Sequence, residues 1–389
     1  MIKIDDPQKC CGCTACMSIC NHAAITMEPD KLGFLYPKVD EAKCVECGLC
    51  EKVCQFNENY DRSNNFQQPI AYAARHKDIN EVMKSRSGAA FAAISDYVLD
   101  NGGVVYGAGY KDHFRVAHKR ATTKLERDEF RGSKYVQSDL TGIFGQIKED
   151  LNNGLTVLFS GTPCQTAGLN SFVGKKLREN LILIDIVCHG VPSPFIWRDY
   201  LEFIEKKHGD TIIVVNFRDK EKYGWADHHE TFKFKMGGGK MSFTYLFYEN
   251  VMLRRCCGVC PFTNYHRPSD ITLADFWGWK KTDSLINIDD KGVSLVLLNT
   301  EKGKEVFEAV KDILYYKEAE LENCIQPNLM KPTEISDRRL QFEEDYVNHG
   351  FDYTFEKYCR IPLKVRVKDS YHEFRKLVIP VVKWIIRRK

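Results

Sequence analysis

Two stretches decide how the chain is read: CCGCTACMSIC at residues 10–20 and CVECGLCEKVC at residues 44–54. Each sets four cysteines at the spacing C-x2-C-x2-C-x3-C, so that Cys10, Cys13, Cys16 and Cys20 are repeated as Cys44, Cys47, Cys50 and Cys54. Three thiolates this close wrap one face of a cubane iron–sulfur cluster, and the fourth corner has to come from a more distant segment. The duplication is an internal repeat and points to two equivalent centres in one small unit. Structural zinc also takes four thiolates, but zinc knuckles do not place three ligands in C-x2-C-x2-C twice over with a fourth three residues on.

The repeated spacing is similar to that of bacterial two-cluster ferredoxins, in which the fourth cysteine of each run serves the other cluster. The resemblance assigns Cys10, Cys13, Cys16 and Cys54 to one [4Fe–4S] cluster and Cys44, Cys47, Cys50 and Cys20 to the second. The proline that usually follows the fourth cysteine is absent, and Asn21 and Gln55 stand in its place. Residues 1–56 are therefore expected to form an α+β ferredoxin-like two-cluster N-terminal domain through which single electrons pass. Cys11 falls outside the spacing and reads as a spare thiol.

The rest of the composition sets the frame. A chain of 389 residues that is 43% hydrophobic can bury a substantial core and is long enough for more than one unit. Sixteen cysteines, in a chain that opens MIKIDDPQKC without a secretion signal, read as metal ligands in a reducing compartment, which implies a cytoplasmic protein. The formal net charge of +3 is uneven: residues 364–389 carry +7, which leaves about −4 for the remainder. That is not the basic surface of a nucleic-acid binder. No run approaches the roughly 18 to 20 apolar residues of a spanning helix.

NENYDRSNNFQQP, residues 57–69, is polar and reads as a linker. Beyond it, strand patterns (PIAYAAR, VVYGAGY, LTVLFSG, LILIDIVC, TIIVVNF) alternate with helical ones (GAAFAAISDYVLDNGG, TGIFGQIKEDLNNG, PSPFIWRDYLEFIEKKHG). This alternation predicts an α/β body over 70–330 with a mixed or largely parallel sheet, followed by a C-terminal extension over 331–389. Ligands of open α/β sheets collect beyond the carboxyl ends of strands, where the chain places Cys164 and Cys188. Added to the C-x2-C pair Cys257 and Cys260, they make four more thiolates.

FSGTPCQTAGL, DIVCHGVPSP, RRCCGVCPF and SDITLADFWG, with the earlier SGAAF and FRGSKYVQSD, resemble the motif series of the beta subunits of coenzyme F420-reducing hydrogenases and dehydrogenases. The resemblance runs from about residue 70 to residue 330. It implies a flavin-binding α/β domain that holds FAD and one further [4Fe–4S] cluster. Carried over by motif, that cluster takes Cys164, Cys188, Cys257 and Cys260, with Cys256 just outside the pattern. Ala274 replaces the first glycine of the family's G-D-F-W-G. Members include many bacterial proteins of unassigned substrate found among surface-polysaccharide genes, so the deazaflavin coenzyme itself is not implied.

FAD joins one-electron clusters to two-electron substrates. For its pyrophosphate the sequence offers Ser87 and Gly88 ahead of a helix, and Lys134, Tyr135 and Ser138 in GSKYVQS. Gly161 and Thr162 at a strand end, with Asp275 and Trp277, are candidates for lining the flavin. His189 is the candidate proton donor. Ordinary roles compete with each of these: a helix cap for Ser87, a solvated charge for Lys134, a structural ring for His189. DHHE, residues 227–230, resembles a metal patch, but adjacent histidines on a strand point to opposite faces. The basic and apolar tail LKVRVKDSYHEFRKLVIPVVKWIIRRK reads either as a peripheral contact with the inner membrane or as a packing tail.

The expected function is an iron–sulfur flavoprotein oxidoreductase that carries electrons from a ferredoxin or other redox protein to an organic small-molecule acceptor. The alternatives are an electron-transfer subunit without its own substrate site, and a zinc-stabilised binding module.

Overall fold

Thr14 and Gly48 occupy the same place in the two cysteine repeats, and both take a left-handed backbone conformation, with φ of 66° and 73°, immediately ahead of a short helix. The helices Ala15–Ile19 and Leu49–Lys52 then carry Cys16 and Cys50 inward. Between them β1 (Ile25–Pro29) and β2 (Leu35–Val39) form an antiparallel hairpin with Ile25 opposite Val39. Ile2, Cys16, Ile25 and Cys50 make the small core of this front unit. The computed structural model describes residues 1–58, 60, 65–240 and 242–360.

The body supplies β3 (Ile70–His76), β4 (Val104–Lys111), β5 (Arg115–Ala121), β6 (Val157–Gly161), β7 (Leu181–Ile186), β8 (Ile212–Asn216), β9 (Thr231–Phe234), β10 (Gly238–Lys240), β11 (Ile271–Asp275), β12 (Ser294–Leu298) and β13 (Leu314–Ala319). Eight of them form one sheet in the order β13-β3-β12-β11-β7-β6-β4-β5. β4, β6, β7 and β11 run parallel, while β5, β12 and β13 pair antiparallel with their neighbours, so the sheet is mixed. The carboxyl ends of β6, β7 and β11 therefore share one edge. Helices Ala90–Asp100 and Glu301–Val310 pack on one face, and Ile143–Asn152 and Pro163–Leu177 on the other. Burial on both faces explains why LILIDI and SLVLL are unbroken apolar runs rather than alternating ones.

TIIVVNF, expected among the strands of the body, becomes β8 of a separate three-stranded antiparallel sheet with β9 and β10. Its exposed Ile213 and Val214 show the physical difference, since a strand with one covered face cannot replace one buried on both. This small sheet joins an aromatic core of Trp197, Tyr200, Phe217, Phe232 and Phe243. Helix Arg339–Tyr358, within the stretch expected as an extension, adds Phe342, Phe351, Phe355 and Tyr358 to that same core. The described end of the linker also docks on the body, where Phe66 donates its N–H to the carbonyl of Asn299 (2.8 Å). The basic tail, residues 363–389, lies outside the described residues.

Candidate functional site

All sixteen cysteines are described and none forms a disulfide. Fourteen of them gather in three places, while Cys324 and Cys359 are packed in the hydrophobic cores. Burial pushes the Cys16 thiol up, and charge on Cys13, Cys10 and Cys54 adds to the shift, which puts these four sulfurs in one neighbourhood. Cys20, Cys44, Cys47 and Cys50 line a second small cavity with Ile25, Val39 and Leu49. Backbone N–H groups of Ala24 and Ile2 point at Cys20 Sγ and Cys50 Sγ (both 3.4 Å), the type of contact that stabilises a cluster's thiolates. Both groupings follow the crossed pattern expected from the two repeats.

The third place lies between the units. Cys164 sits in the first turn of helix Pro163–Leu177 after β6, and Cys188 two residues beyond β7. Cys257 is in the 3-10 turn Arg255–Val259, and Cys260 follows it. All four line one cavity, together with Cys11 and Phe56 from the front unit, Cys256, Thr162, His189 and Arg254. Burial holds the Cys188 thiol well above its usual range, and charge on Cys257, Cys164 and Cys260 raises it further. Burial also raises the Cys260 thiol, whereas hydrogen bonds with the Cys11 and Cys256 thiols lower those of Cys164 and Cys257. Four thiols from three segments, two of them already eased toward thiolate, fit a cationic iron–sulfur core. Among the described residues no three such side chains are closed up as for a single bound ion; the ligands of a cubane stand further apart, one at each corner.

Arg254 joins the first and third places. Its side chain is fully buried; Nε donates to the carbonyl of Cys10 (2.8 Å), Nη1 to Gln137 Oε1 (2.9 Å), and Nη2 to the Leu35 carbonyl (2.9 Å) and Cys10 Sγ (3.5 Å). Its guanidinium also lies 4.2 Å from the centre of the Tyr36 ring. Gln55, in the position of the missing proline, donates to Cys11 Sγ (2.7 Å) and to the Cys164 carbonyl (2.6 Å). A proline there could do neither. Gly168 lets the units meet: a Cβ on it would lie 2.6 Å from Cys13 Sγ.

Beyond Cys188, the strand-end edge turns aromatic and then cationic. His189 shares a hydrogen bond with Asn250 Oδ1 (2.9 Å), and its ring rests 4.9 Å from that of Phe247. Phe247 and His228 flank Tyr135, with ring centres 5.2 and 5.1 Å away. Arg218 donates to the Tyr135 hydroxyl (3.4 Å) and lies 3.8 Å from Asp275. Arg86 binds the same carboxylate oxygen at 3.1 Å, and Trp225 Nε1 donates to the other (3.1 Å). Trp277 stacks on Trp225 at 4.7 Å and stays half-exposed at the rim.

Tyr135, Asp275, Trp277 and His189 thus share one edge, whereas several other candidates have local tasks. Ser87 donates to the Val293 carbonyl (2.6 Å), and Gly88 is pressed between β3 and β12, where a Cβ would meet the Ala74 carbonyl at 2.2 Å. Lys134 spends its ammonium on the carbonyls of Glu129, Arg131 and Gly132. Ser138 shares a hydrogen bond with Nδ1 of buried His118, whose Nε2 must donate to the Ser160 carbonyl. Thr162 caps its helix and lies 3.2 Å from Cys164 Sγ, and Gly161 ends β6 beside it. His228, discounted with the DHHE patch, is in a loop rather than on a strand, and its Nδ1 shares a hydrogen bond with the Tyr248 hydroxyl (2.7 Å). Arg86, Arg218 and Arg254 were not singled out from the sequence, although Arg86 immediately precedes Ser87 and Arg254 opens RRCCGVCPF, and Gln55 was noted only as standing in place of a proline.

Residues 9–57 match the 4Fe-4S dicluster domain, and residues 154–323 match the family described as the C terminus of the coenzyme F420 hydrogenase/dehydrogenase beta subunit. No curated protein matches the chain. Among solved structures, the chain is similar to one from the F420-reducing [NiFe] hydrogenase complex of Methanosarcina barkeri, with 18% identity and a TM-score of 0.44 over 76% of this chain and 92% of that one.

Proposed function

The chain is an iron–sulfur electron-transfer protein related to the coenzyme F420 hydrogenase/dehydrogenase beta subunit, and from that premise we propose that it is a flavin-dependent oxidoreductase that carries electrons from a redox-protein donor to an organic acceptor. The observation that carries the reading is the set Cys164, Cys188, Cys257 and Cys260 around one cavity, enclosed between the front unit and the strand-end edge. A third [4Fe–4S] cluster there would lie between the two front clusters and that edge.

The edge suits a flavin. Tyr135, Tyr248 and Trp277 offer aromatic surface, and Arg86 and Arg218 offer positive charge for a pyrophosphate. FAD, when bound, supplies the exchange between single electrons and electron pairs. His189 stands between Cys188 and the aromatic residues, where its ring could hold or pass a proton. A cytoplasmic setting accords with sixteen cysteines in no disulfide. Among the described residues no helix is long and apolar enough to cross a membrane. A role in surface-polysaccharide metabolism rests on the resemblance alone.

A second reading, an electron-transfer subunit that serves a catalytic partner, is favoured by the matched family's description as a beta subunit. Quantifying iron, acid-labile sulfide and flavin in one anaerobic preparation separates the two. Roughly twelve irons per chain with FAD that bleaches under dithionite and reoxidises with a small organic acceptor supports the oxidoreductase. Clusters without flavin support the second reading, and zinc without sulfide overturns both.

A further inference from the structure

Charge around Asp275 does not balance. Arg86 and Arg218 both face its Oδ2, at 3.1 and 3.8 Å, and their side chains are only 10% and 9% exposed. One carboxylate is thus set against two buried guanidiniums. Of their donors, Arg86 Nη2 reaches Asp275 and the Trp225 carbonyl, and Arg218 Nη1 reaches Tyr135. Arg86 Nε, Arg86 Nη1 and Arg218 Nε are buried and have no partner among the described residues; the His228 ring, beside them, is in reach of the Phe217 backbone. A buried donor without an acceptor leaves its desolvation cost uncompensated, and the cost is greater when the group is charged. Three charged ones in one neighbourhood are therefore an expensive arrangement to keep without use.

The surroundings add little charge to the cluster: burial and then charge on Arg86 push the Lys220 pKa down to about 7. Lys220, buried beneath it, is held by the carbonyls of Val82 (2.5 Å), Ser87 (3.1 Å) and Lys291 (2.7 Å). Asp219, next to Arg218, spends its carboxylate on the Lys222 N–H (3.2 Å) and the Thr231 hydroxyl (2.9 Å), and Glu230, two residues beyond His228, is itself buried and accepts the Thr244 N–H (2.8 Å), with its pKa pushed up to about 7 by desolvation. On the open side stand Tyr248 and Trp277, 54% and 45% exposed.

We propose that Arg86, Arg218 and His228 form an oxyanion-binding site that takes a phosphate or carboxylate group, entering past Tyr248 and Trp277. Guanidinium forks match both groups, and an oxyanion accepts from several donors at once. Two sources share this chemistry: the pyrophosphate of a bound flavin, and the anionic group of a separate organic acceptor. The first source rests on the flavin reading, whereas the second does not.

The test uses the anaerobically purified full chain with its clusters, inorganic pyrophosphate as the probe, and Arg218→Gln. The readouts are flavin per iron and the thermal midpoint as a function of pyrophosphate. A tenfold or greater loss of flavin affinity at unchanged iron content identifies the flavin as the source. Retained flavin, with a pyrophosphate-dependent rise of the midpoint that is present in the parent and absent from the variant, identifies a separate anion. Retained flavin with no pyrophosphate effect on the parent overturns the site. Should the parent hold no flavin, the flavin reading fails by itself, and the pyrophosphate titration alone then decides. A rise abolished by Arg218→Gln supports the site, and no rise overturns it. Arg218→Lys, which keeps the charge and loses the fork, gives the same readouts if the glutamine variant sheds its iron.

Discussion

Arg254 and the pair Arg86 and Arg218 are buried guanidiniums in two regions of one protein, and they are bonded in opposite ways. At the junction of front unit and body, each nitrogen of Arg254 has an acceptor: the carbonyls of Cys10 and Leu35, and Gln137 Oε1. At the strand-end edge, three guanidinium nitrogens have none. The first region is complete within the chain, and its cation is held by backbone and by the nearby sulfurs. The second region is complete only with something added. Burial of charge alone therefore does not mark a binding site; unused donors do.

The contrast predicts opposite responses to the same substitution. Arg254→Gln should have the largest effect, since it strands the carbonyls of Cys10 and Leu35 in the interior. A loss of about 3 kcal/mol, seen as a lower urea midpoint together with lost iron, is expected. Arg218→Gln, compared with the parent after removal of any flavin and in pyrophosphate-free buffer, should leave the midpoint at or above that of the parent, because it removes an unbalanced charge. Equal losses from both would erase the distinction.

Cysteine replacements sharpen it within the junction. Cys257→Ala should lower bound iron by about four atoms per chain, while Cys256→Ala, whose thiol is buried next to Cys257 but outside the C-x2-C pair, should lower it by none. Iron analysis of the two proteins decides which cysteine is a ligand. Gly168→Ala is a smaller lesion: its Cβ, 2.6 Å from Cys13 Sγ, should cost about 1–3 kcal/mol. The cluster nearest Cys13 should then be the first lost on exposure to a chelator.

The last response is to pH, and it is spread over several units. Desolvation, then the charges of Arg218, Arg86 and His229, lower the His228 pKa to about 3, below its ordinary value. The unfolded chain therefore binds more protons than the folded one between about pH 6.5 and pH 3, so this histidine's contribution to stability falls as the pH drops through that window. His228→Asn should flatten that part of the pH dependence of the urea midpoint. Pyrophosphate in the parent should do the same, by placing negative charge beside the ring.

What could be read from the sequence divides along similar lines. The cysteine runs were legible because cluster ligation is a matter of local spacing, and β6 and β7 because strands buried on both faces leave unbroken apolar runs. The gathering of Cys164 and Cys188 with Cys257 and Cys260 could be reached through strand ends and motifs. The oxyanion cluster could not. Arg218 follows β8, whose assignment to a second sheet brings it to Asp275, and nothing local in NFRDKEK announces that meeting. Ser87 and Gly88 drew attention as a phosphate turn, yet their task is to fit against β12, while their neighbour Arg86 faces the edge. Gln55 was visible only as a departure from a pattern, and its contacts with Cys11 and Cys164 give the departure a reason.

The cavity at the junction has walls from both units: Cys11 and Phe56 on one side, Cys164, Cys188, Cys257 and Cys260 on the other. On the proposed reading this imposes a schedule on biogenesis. A rigid inorganic core cannot be passed through a packed seam that Gln55, Arg254 and Gly168 hold shut, so it has to be delivered to the body while the N-terminal unit is still swung away. Maturation would then be ordered against the direction of synthesis, with the segment made first being the last to settle into place.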